Sequence, residues 1–366
     1  MFKLHVVQAA FGDCLLLEHG SAGAPRFTLI DGGPETTYDK HLRATLQALP
    51  SRALELVVLS HVDTDHIIGL LDLVAELRDQ RANGQQETVT IGKLWHNSFS
   101  ATIDTDGTIA PRAAALLASA GASSLTLAGP GILGIAEGHK LRSGAAALGL
   151  VPNQGFPDGL ICVDTAPKKK QFGNLTLRVV GPTAPNLDEL RLEWEAWLDA
   201  HEDEIASGDP VALANADASP PNLSSIVLYA KADGKTILLT GDARSDHVLQ
   251  GLEQAGLLDG QGQLHIDVLK APHHGSDRNM TKKFFKAVIA DVYVFSANGK
   301  DGNPDLATLI WLVEAARDQQ REIRIVATNE TPSLNKLKEE YPADEYDYTL
   351  ELLPAGEHAM VVTLKE

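Results

Sequence analysis

The stretch His61-Val-Asp63-Thr-Asp65-His66 follows directly on the apolar run Leu54-Glu-Leu-Val-Val-Leu-Ser60, and no other feature limits the fold so strongly. The apolar run reads as a buried strand and the His/Asp stretch as the loop at its end. Adjacent residues on a continuing strand point to opposite faces, so Asp65 and His66 reach one centre only if the chain has left the strand. Imidazole and carboxylate donors together suit zinc, manganese or iron. A plainer reading is a polar strand-to-helix turn in which Asp65 caps a helix beginning near Ile67. Four potential ligands in six positions, with Gly69 and a helical run Ile67 to Leu77 beyond them, favour the metal reading.

Two more loops of this kind follow apolar runs. Thr240-Gly241-Asp242-Ala243 ends the second strand of an expected hairpin, where Gly241 permits a sharp departure and a carboxylate with two oxygens can bridge two cations. Taken alone, Asp242 is more simply a helix N-cap. Ala271-Pro272-His273-His274-Gly275-Ser276 follows the strand Ile266 to Leu269, and Pro272 ends its ladder. One of the two histidines is expected to ligate, while the other bonds a neighbour or a leaving group. Three acidic or histidine loops at strand C-termini are hard to ascribe to chance.

The rest of the chain supplies a layered α/β frame. Strands are expected at Leu4 to Gln8, Cys14 to Glu18 and Phe27 to Ile30, the last closed by Asp31-Gly32-Gly33. A helix at Asp39 to Leu49, the strand Leu56 to Leu59 and a strand at Val89 to Trp95 follow. Residues 97–172 turn to alanine, glycine and leucine with helical patterning at Ala113 to Leu127 and Leu141 to Leu150, as an insertion or lid would. Leu175 to Val180 resumes the sheet, and Leu187 to Glu204 is an amphipathic helix whose Trp194 and Trp197 are expected to pack. Ala206 to Pro221 reads as a loop, and Ser225 to Ala230 with Thr236 to Leu239 as a hairpin. Helices at Asp246 to Ala255, Lys282 to Ile289 and Leu306 to Asp318 alternate with strands at Ile266 to Leu269, Val292 to Ser296 and Ile323 to Ala327, before two closing strands. No linker marks a boundary, so residues 1–366 are expected to form one domain with 97–172 inserted in it.

Composition narrows the partners. A net charge of −18 repels a polyanion unless positive charge is gathered locally, so stable binding of long duplex DNA is not expected. Local gatherings occur at Lys168 to Lys170 and at Arg278, Lys282, Lys283 and Lys286, both most simply solvated faces. No run of about 18 apolar residues is present, so no membrane span is expected. Met1 to Gln8 reads as a first strand rather than a signal peptide. Cys14 and Cys162 lie far apart in apolar settings as buried thiols, which together suggests a reducing, cytoplasmic location.

With these motifs assembled, the sequence resembles the metallo-β-lactamase superfamily. The His61-x-Asp63-x-Asp65-His66 loop is similar to its signature, with Asp63 where most members carry a second histidine. Asp31-Gly-Gly33, Thr240-Gly-Asp242, Pro272-His-His-Gly-Ser276, the early Phe11-Gly-Asp13 turn, Asn222-x-Ser224-Ser225 and Ser296-x-Asn298 resemble the ComEC-like branch, named for the hydrolase domain of a DNA-uptake protein. The resemblance implies a four-layer αββα sandwich with mixed sheets and one or two divalent ions, Zn2+ or Mn2+, at one edge. It places the first ion on His61 and Asp63, the second on Asp65, His66 and one of His273 or His274, with His274 favoured, and Asp242 between them. Asp31 would orient a ligand histidine. Many members have one more histidine before the bridging Asp; this chain offers Asn222, Ser224 and Ser225 there, and only His96, His139 and His201 lie between the loops.

The function so implied is hydrolysis by a metal-activated water, with Asp65 orienting or deprotonating it. His273 or Lys270 would steady developing charge or protonate the leaving oxygen, and Ser276 and Arg278 would contact substrate. A phosphodiester, in a nucleotide or short or single-stranded nucleic acid, is the favoured substrate. A small carboxyl ester, lactone or phosphomonoester is the alternative, and a metal-binding partner protein without turnover a third. Composition does not fix the oligomeric state.

Overall fold

Alternating burial along the strands generates the architecture. The computed structural model describes residues 1–97, 104, 107, 112, 130–200 and 224–366. The chain begins with β1 (Phe2–Val7), β2 (Leu15–Ser21) and β3 (Ala24–Ile30), then a widened turn at Tyr38–Leu42 running into α1 (Arg43–Gln47). Next come β4 (Ala53–Val58), α2 (Thr64–Ala82), the short β5 (Thr90–Ile91) and β6 (Leu94–Trp95), and α3 (Pro130–Ala147). The second half runs β7 (Lys170–Phe172), β8 (Leu175–Gly181), α4 (Ala184–Ala200), β9 (Val227–Ala232), β10 (Lys235–Leu239) and α5 (Ser245–Gln254). It continues with β11 (Leu264–Lys270), α6 (Lys282–Ala287), β12 (Val288–Phe295), α7 (Leu306–Asp318), β13 (Ile323–Ala327), α8 (Pro332–Glu340), α9 (Ala343–Tyr346), β14 (Tyr348–Leu352) and β15 (Ala359–Lys365).

Two mixed sheets result, one ordered β15-β1-β2-β3-β4-β5 with β6 also on β4, the other β14-β13-β12-β11-β10-β9-β8-β7. Leu56 and Val58 of β4 face a core between the sheets with Leu228, Ile237, Leu239, Val268 and Val294. Their neighbours Val57 and Leu59 face the opposite way, into a layer with Leu42, Leu46, Ile67, Leu70 and Leu73. On the far side, Leu238, Leu269, Tyr293 and Phe295 pack on Val248, Phe284, Leu309 and Leu312. Helices therefore cover both outer faces, and the four-layer αββα sandwich expected from the sequence is the fold. β3 runs parallel to β4, and β10, β11 and β12 run parallel to one another, so within each sheet the loops that follow them emerge at the same edge.

Several elements differ from the sequence reading. The helix expected over Lys282 to Ile289 stops at Ala287, because the β-branched Val288 and Ile289 pair with Leu264 and His265. The strand expected over Val89 to Trp95 is two short pieces, each paired to β4. α8 was not expected, although Thr331 caps it by accepting from the Leu334 amide and Pro332 opens it. Nor was β7, whose strand lies in the lysine-bearing stretch. Ala113 to Leu127, His201 to Glu204, Ala206 to Pro221 and Asn222 lie outside the described residues. Trp194 is buried, as expected. No helix among the described residues is long and apolar enough to cross a membrane.

Candidate metal centre

Glycines let the site loops close on one another. Gly32 and Gly69 meet back to back: a β-carbon on Gly69 would lie 2.0 Å from the Gly32 carbonyl oxygen, and one on Gly32 2.3 Å from the Leu70 nitrogen. Through this contact the Gly32 amide donates to the His66 carbonyl at 2.7 Å, fixing the start of α2 against the Asp31 loop. The same need appears at Gly12, where a β-carbon would sit 1.9 Å from the Asp65 carbonyl oxygen. α2 starts at Thr64, so Asp63, not Asp65, occupies the cap position, and its side chain makes no capping bond. The capping role is thus absent, and both carboxylates are left for other partners.

The loops after β4, β10 and β11 converge. One donor atom each of Asp65, His66, Asp242 and His274 lies within 4.8 Å of the others. Asp242 stands at the middle: its Oδ1 is 3.3 Å from His66 Nε2 and 3.5 Å from His274 Nε2. Its Oδ2 is 3.8 Å from His61 Nε2 and 3.7 Å from His273 Nε2. Asp65 Oδ2 approaches His274 Nε2 to 3.2 Å, and Asp63 Oδ2 approaches His61 Nε2 to 3.5 Å.

Every imidazole in the cluster is turned by an acceptor behind it. His66 Nδ1 donates to Asp31 Oδ2 at 2.9 Å, and His274 Nδ1 to the Ser296 carbonyl at 2.9 Å. His273 Nδ1 faces Asn279 Oδ1 at 2.7 Å. His61 Nδ1 is 3.0 Å from Ser60 Oγ, whose own proton goes to Asp31 Oδ2. With each Nδ1 so engaged, Nε2 is the ring atom that faces Asp242, and it is the one whose lone pair a metal would take once its proton is displaced.

The donor set fits a divalent cation. Nε2 of His61, His66 and His274 and Oδ1 of Asp242 are buried with no hydrogen-bond partner among the described residues. Leaving such atoms unsatisfied costs about 1–3 kcal/mol apiece unless a ligand takes them up. Burial alone would push the His66 and His274 imidazoles down, but Asp242, joined by Asp65 and Asp31 at His66 and by Asp13 at His274, pushes both well up. Asp242 itself, against its burial, is held well below the usual carboxylate range by His274, His66 and His273. In effect, protons compensate the buried carboxylates where a cation would do so better.

The remaining sequence candidates fall as follows. Asp31 lies behind His66 and also accepts from the Ser60 amide at 2.7 Å. Ser276 and Arg278 line a cleft of about 500 Å3 that opens beside Asp65, His273 and His274 and is completed by Phe11, Lys300 and the Asp277, Asp301 and Asp305 carboxylates. Lys270 is a correction. It is wholly buried, its amine bonded to Asp13 Oδ2 at 2.6 Å and to the Ala271 carbonyl at 2.9 Å, so it reaches no substrate. His139 is exposed on α3, and His96 is buried with neither ring nitrogen bonded among the described residues; neither is in the cluster. Of the basic group after the histidines, Lys282 pairs with Glu314 at 2.7 Å and Lys286 with Asp318 at 2.8 Å, so they belong to a helix–helix face. Asp13 and Ser60 were not singled out as site residues. Asp13 sits inside the Phe11-Gly-Asp turn, the only signal that pointed to it.

Residues 9–150 match the family profile described as Metallo-beta-lactamase superfamily. That segment carries the first of the three loops, so the similarity to the superfamily covers the first part of the chain. No curated protein matches in sequence. Among solved structures, the Zn2+-bound PqqB of Methylobacterium extorquens is 13% identical, with 100% of each chain covered and a TM-score of 0.41. A new diphosphatase of the PhnP family is 9% identical over 99% of this chain and 98% of its own, with a TM-score of 0.37. Likenesses this distant bear on neither substrate nor metal.

Proposed function

We propose that the protein is a metal-dependent phosphodiesterase of the ComEC-like branch, acting on a nucleotide or on short or single-stranded nucleic acid. The reading is carried by the partnerless Nε2 atoms gathered round Asp242 beside an open cleft that holds Arg278 and Lys300. Those cations would neutralise a phosphodiester, while the Asp277, Asp301 and Asp305 carboxylates on the same rim disfavour a long polyanion. A carboxylate at Asp63 in place of imidazole makes the donors harder and shifts preference from zinc towards manganese. One or two divalent ions bound here would supply a water whose pKa falls from about 16 towards 7.

Asp65 occupies the border between centre and cleft, where it would orient that water and take its proton. Arg278 and the Ser276 hydroxyl would hold the phosphoryl oxygens. α3, from the segment read as an insertion, lies against the first loop: a β-carbon on Gly138 would sit 3.1 Å from Val62. We read it as a wall of the site within a single domain.

The test is a pair of chromogenic substrates with Mn2+ or Zn2+ added. Nitrophenol should be released from bis-(4-nitrophenyl) phosphate and not from 4-nitrophenyl acetate. Release from the acetate alone would replace this reading by that of a carboxyl esterase. No release from either would favour a metal-binding protein without turnover.

A further inference from the structure

We infer that Phe11 and Lys300 form a nucleobase subsite in the cleft, the Phe11 ring stacking on a base while Lys300 takes a phosphate beside it. This rests on the phosphodiesterase reading above and narrows it to a substrate that carries a nucleoside. The Lys300 ammonium lies 3.4 Å from the centroid of the Phe11 ring. Among the described residues that line the cleft, Phe11 is the only large apolar side chain, and it lines the cleft together with Asp65 and His274. A phenyl face gives a phosphate nothing, whereas it stacks on a base with little regard to which base it is. Lys300 is exposed and, among the described residues, pairs with no carboxylate, although Asp277, Asp301 and Asp305 share its cleft. A cation over an exposed ring is held weakly enough to give up that ring for a phosphate. A base that takes the ring face thus turns the ammonium towards the neighbouring phosphate.

The backbone beneath both side chains is fixed. Ala10 takes a φ of 51°, and its amide donates to Gln8 Oε1 at 3.0 Å. Gln8 in turn donates to Asn329 Oδ1 at 2.8 Å, and Asn329 to the Ala297 carbonyl at 2.7 Å. Ser296 Oγ donates to the Gly12 carbonyl at 2.6 Å. The Phe11 turn is thereby tied to the chain leaving β12, the same segment that goes on to Lys300. On its other side the Asp13 amide donates to the Asp65 carbonyl at 3.2 Å, and Gly12 packs on that carbonyl. Beyond Lys300, the Asp305 amide donates to the Gly275 carbonyl at 3.0 Å, which ties the Lys300 turn to the histidine loop. Ring and ammonium are therefore placed by the loops that carry Asp65 and His274. A base stacked on Phe11 and a phosphate facing the centre belong to one substrate.

The experiment uses the full chain with Mn2+ and two probes of equal charge: the thymidine dinucleotide pTpT, and its counterpart with abasic tetrahydrofuran residues in place of both nucleosides. Cleavage is followed by chromatography, and binding by calorimetry on the slowly cleaved phosphorothioate-linked forms. Wild type should favour pTpT over the abasic probe by at least about fivefold, in KM and in affinity. Phe11→Leu, which keeps an apolar side chain but no ring, should bring that ratio to about one, and Phe11→Trp should preserve it. F11W should also show fluorescence quenched by pTpT and not by the abasic probe, beyond any change in wild type. Lys300→Gln should weaken both probes alike and reduce the salt slope of binding by about 0.7. A wild-type ratio near one, or a ratio unmoved by Phe11→Leu, would overturn the subsite. If neither probe is cleaved, a binding ratio that depends on Phe11 keeps the subsite and removes the phosphodiesterase. Cleavage of both probes alike does the reverse, and binding of neither removes both.

Discussion

Lys270 and Asp13 form an ion pair, Nζ to Oδ2 at 2.6 Å, wholly closed off from solvent beneath the converging loops. The other Asp13 oxygen lies 3.4 Å from His274 Nδ1, so the pair supports the ring that faces Asp242. Against burial, Lys270 and His274 hold the Asp13 carboxyl well below its ordinary value. Removing one member of such a pair strands a buried charge and costs about 3–5 kcal/mol, whereas removing both costs far less. Lys270→Met should therefore lower the urea midpoint of the metal-free protein sharply, and Lys270→Met combined with Asp13→Leu should recover much of the loss. Single and double variants equally unstable would show that the pair is not a coupled unit.

Asp31 acts through other residues. It accepts from the Ser60 amide, the Ser60 hydroxyl and His66 Nδ1, and so sets the ring plane of His66 and, through Ser60, that of His61. Asp31→Ala should weaken Mn2+ binding by about 10- to 100-fold, measured by competition with a chromophoric chelator. Unchanged affinity would mean that backbone packing alone orients the rings.

Asp65 combines a donor position with access to the cleft. Asp65→Ala should reduce kcat on a chromogenic phosphodiester by at least about hundredfold, even with metal in excess. Full activity in that variant would remove Asp65 from the mechanism.

Charge among the site residues links stability to pH. In the metal-free protein His61, His66 and His274 have values raised above 6.5, against their burial, chiefly by the carboxylates around them. A raised value contributes stability that is complete below the unfolded pKa and is lost as pH rises through the folded one. Asp242, lowered from 3.8, acts in the opposite sense and withdraws its contribution as pH falls. Metal-free protein should therefore lose stability as pH rises above about 6.5. Mn2+ replaces the lost protons, so the Tm difference between metal-loaded and chelated protein should widen with pH. A difference that narrows over that range would contradict the raised values.

Much of this arrangement was legible in the sequence because its signals are local. The strand before His61, the adjacent Asp65 and His66 and the paired His273 and His274 each announce a loop at a strand end, and those loops do converge. What escaped is set by contacts distant in the chain. Lys270 read as a possible catalytic cation because nothing near it in sequence shows that Asp13, from the first loop, closes on it. The side of Asp242 that each of His273 and His274 faces depends on two positive φ angles that no residue preference forecasts. Val288 and Ile289 continued a helical pattern but were drawn into a strand by their partners on β11.

His96 lies outside the centre and makes the clearest case for a cost carried in the core. It is buried, neither ring nitrogen has a hydrogen-bond partner among the described residues, and Gly138 of α3 packs against it, a β-carbon there falling 3.4 Å from Nε2. Burial, with Arg142 nearby, pushes its imidazole down to about 3 from 6.5, so the ring stays neutral in the folded chain. A depressed histidine favours the folded state above the unfolded pKa and withdraws that support as pH falls, because the unfolded chain takes up the proton first. His96→Leu removes both the titration and the unsatisfied nitrogens at similar volume. It should raise stability by about 1–3 kcal/mol at neutral pH and flatten the fall between pH 6.5 and 3, followed by urea unfolding at stepped pH. A variant less stable than wild type at every pH, with an equally steep acid fall, would mean that the ring nitrogens are satisfied by water.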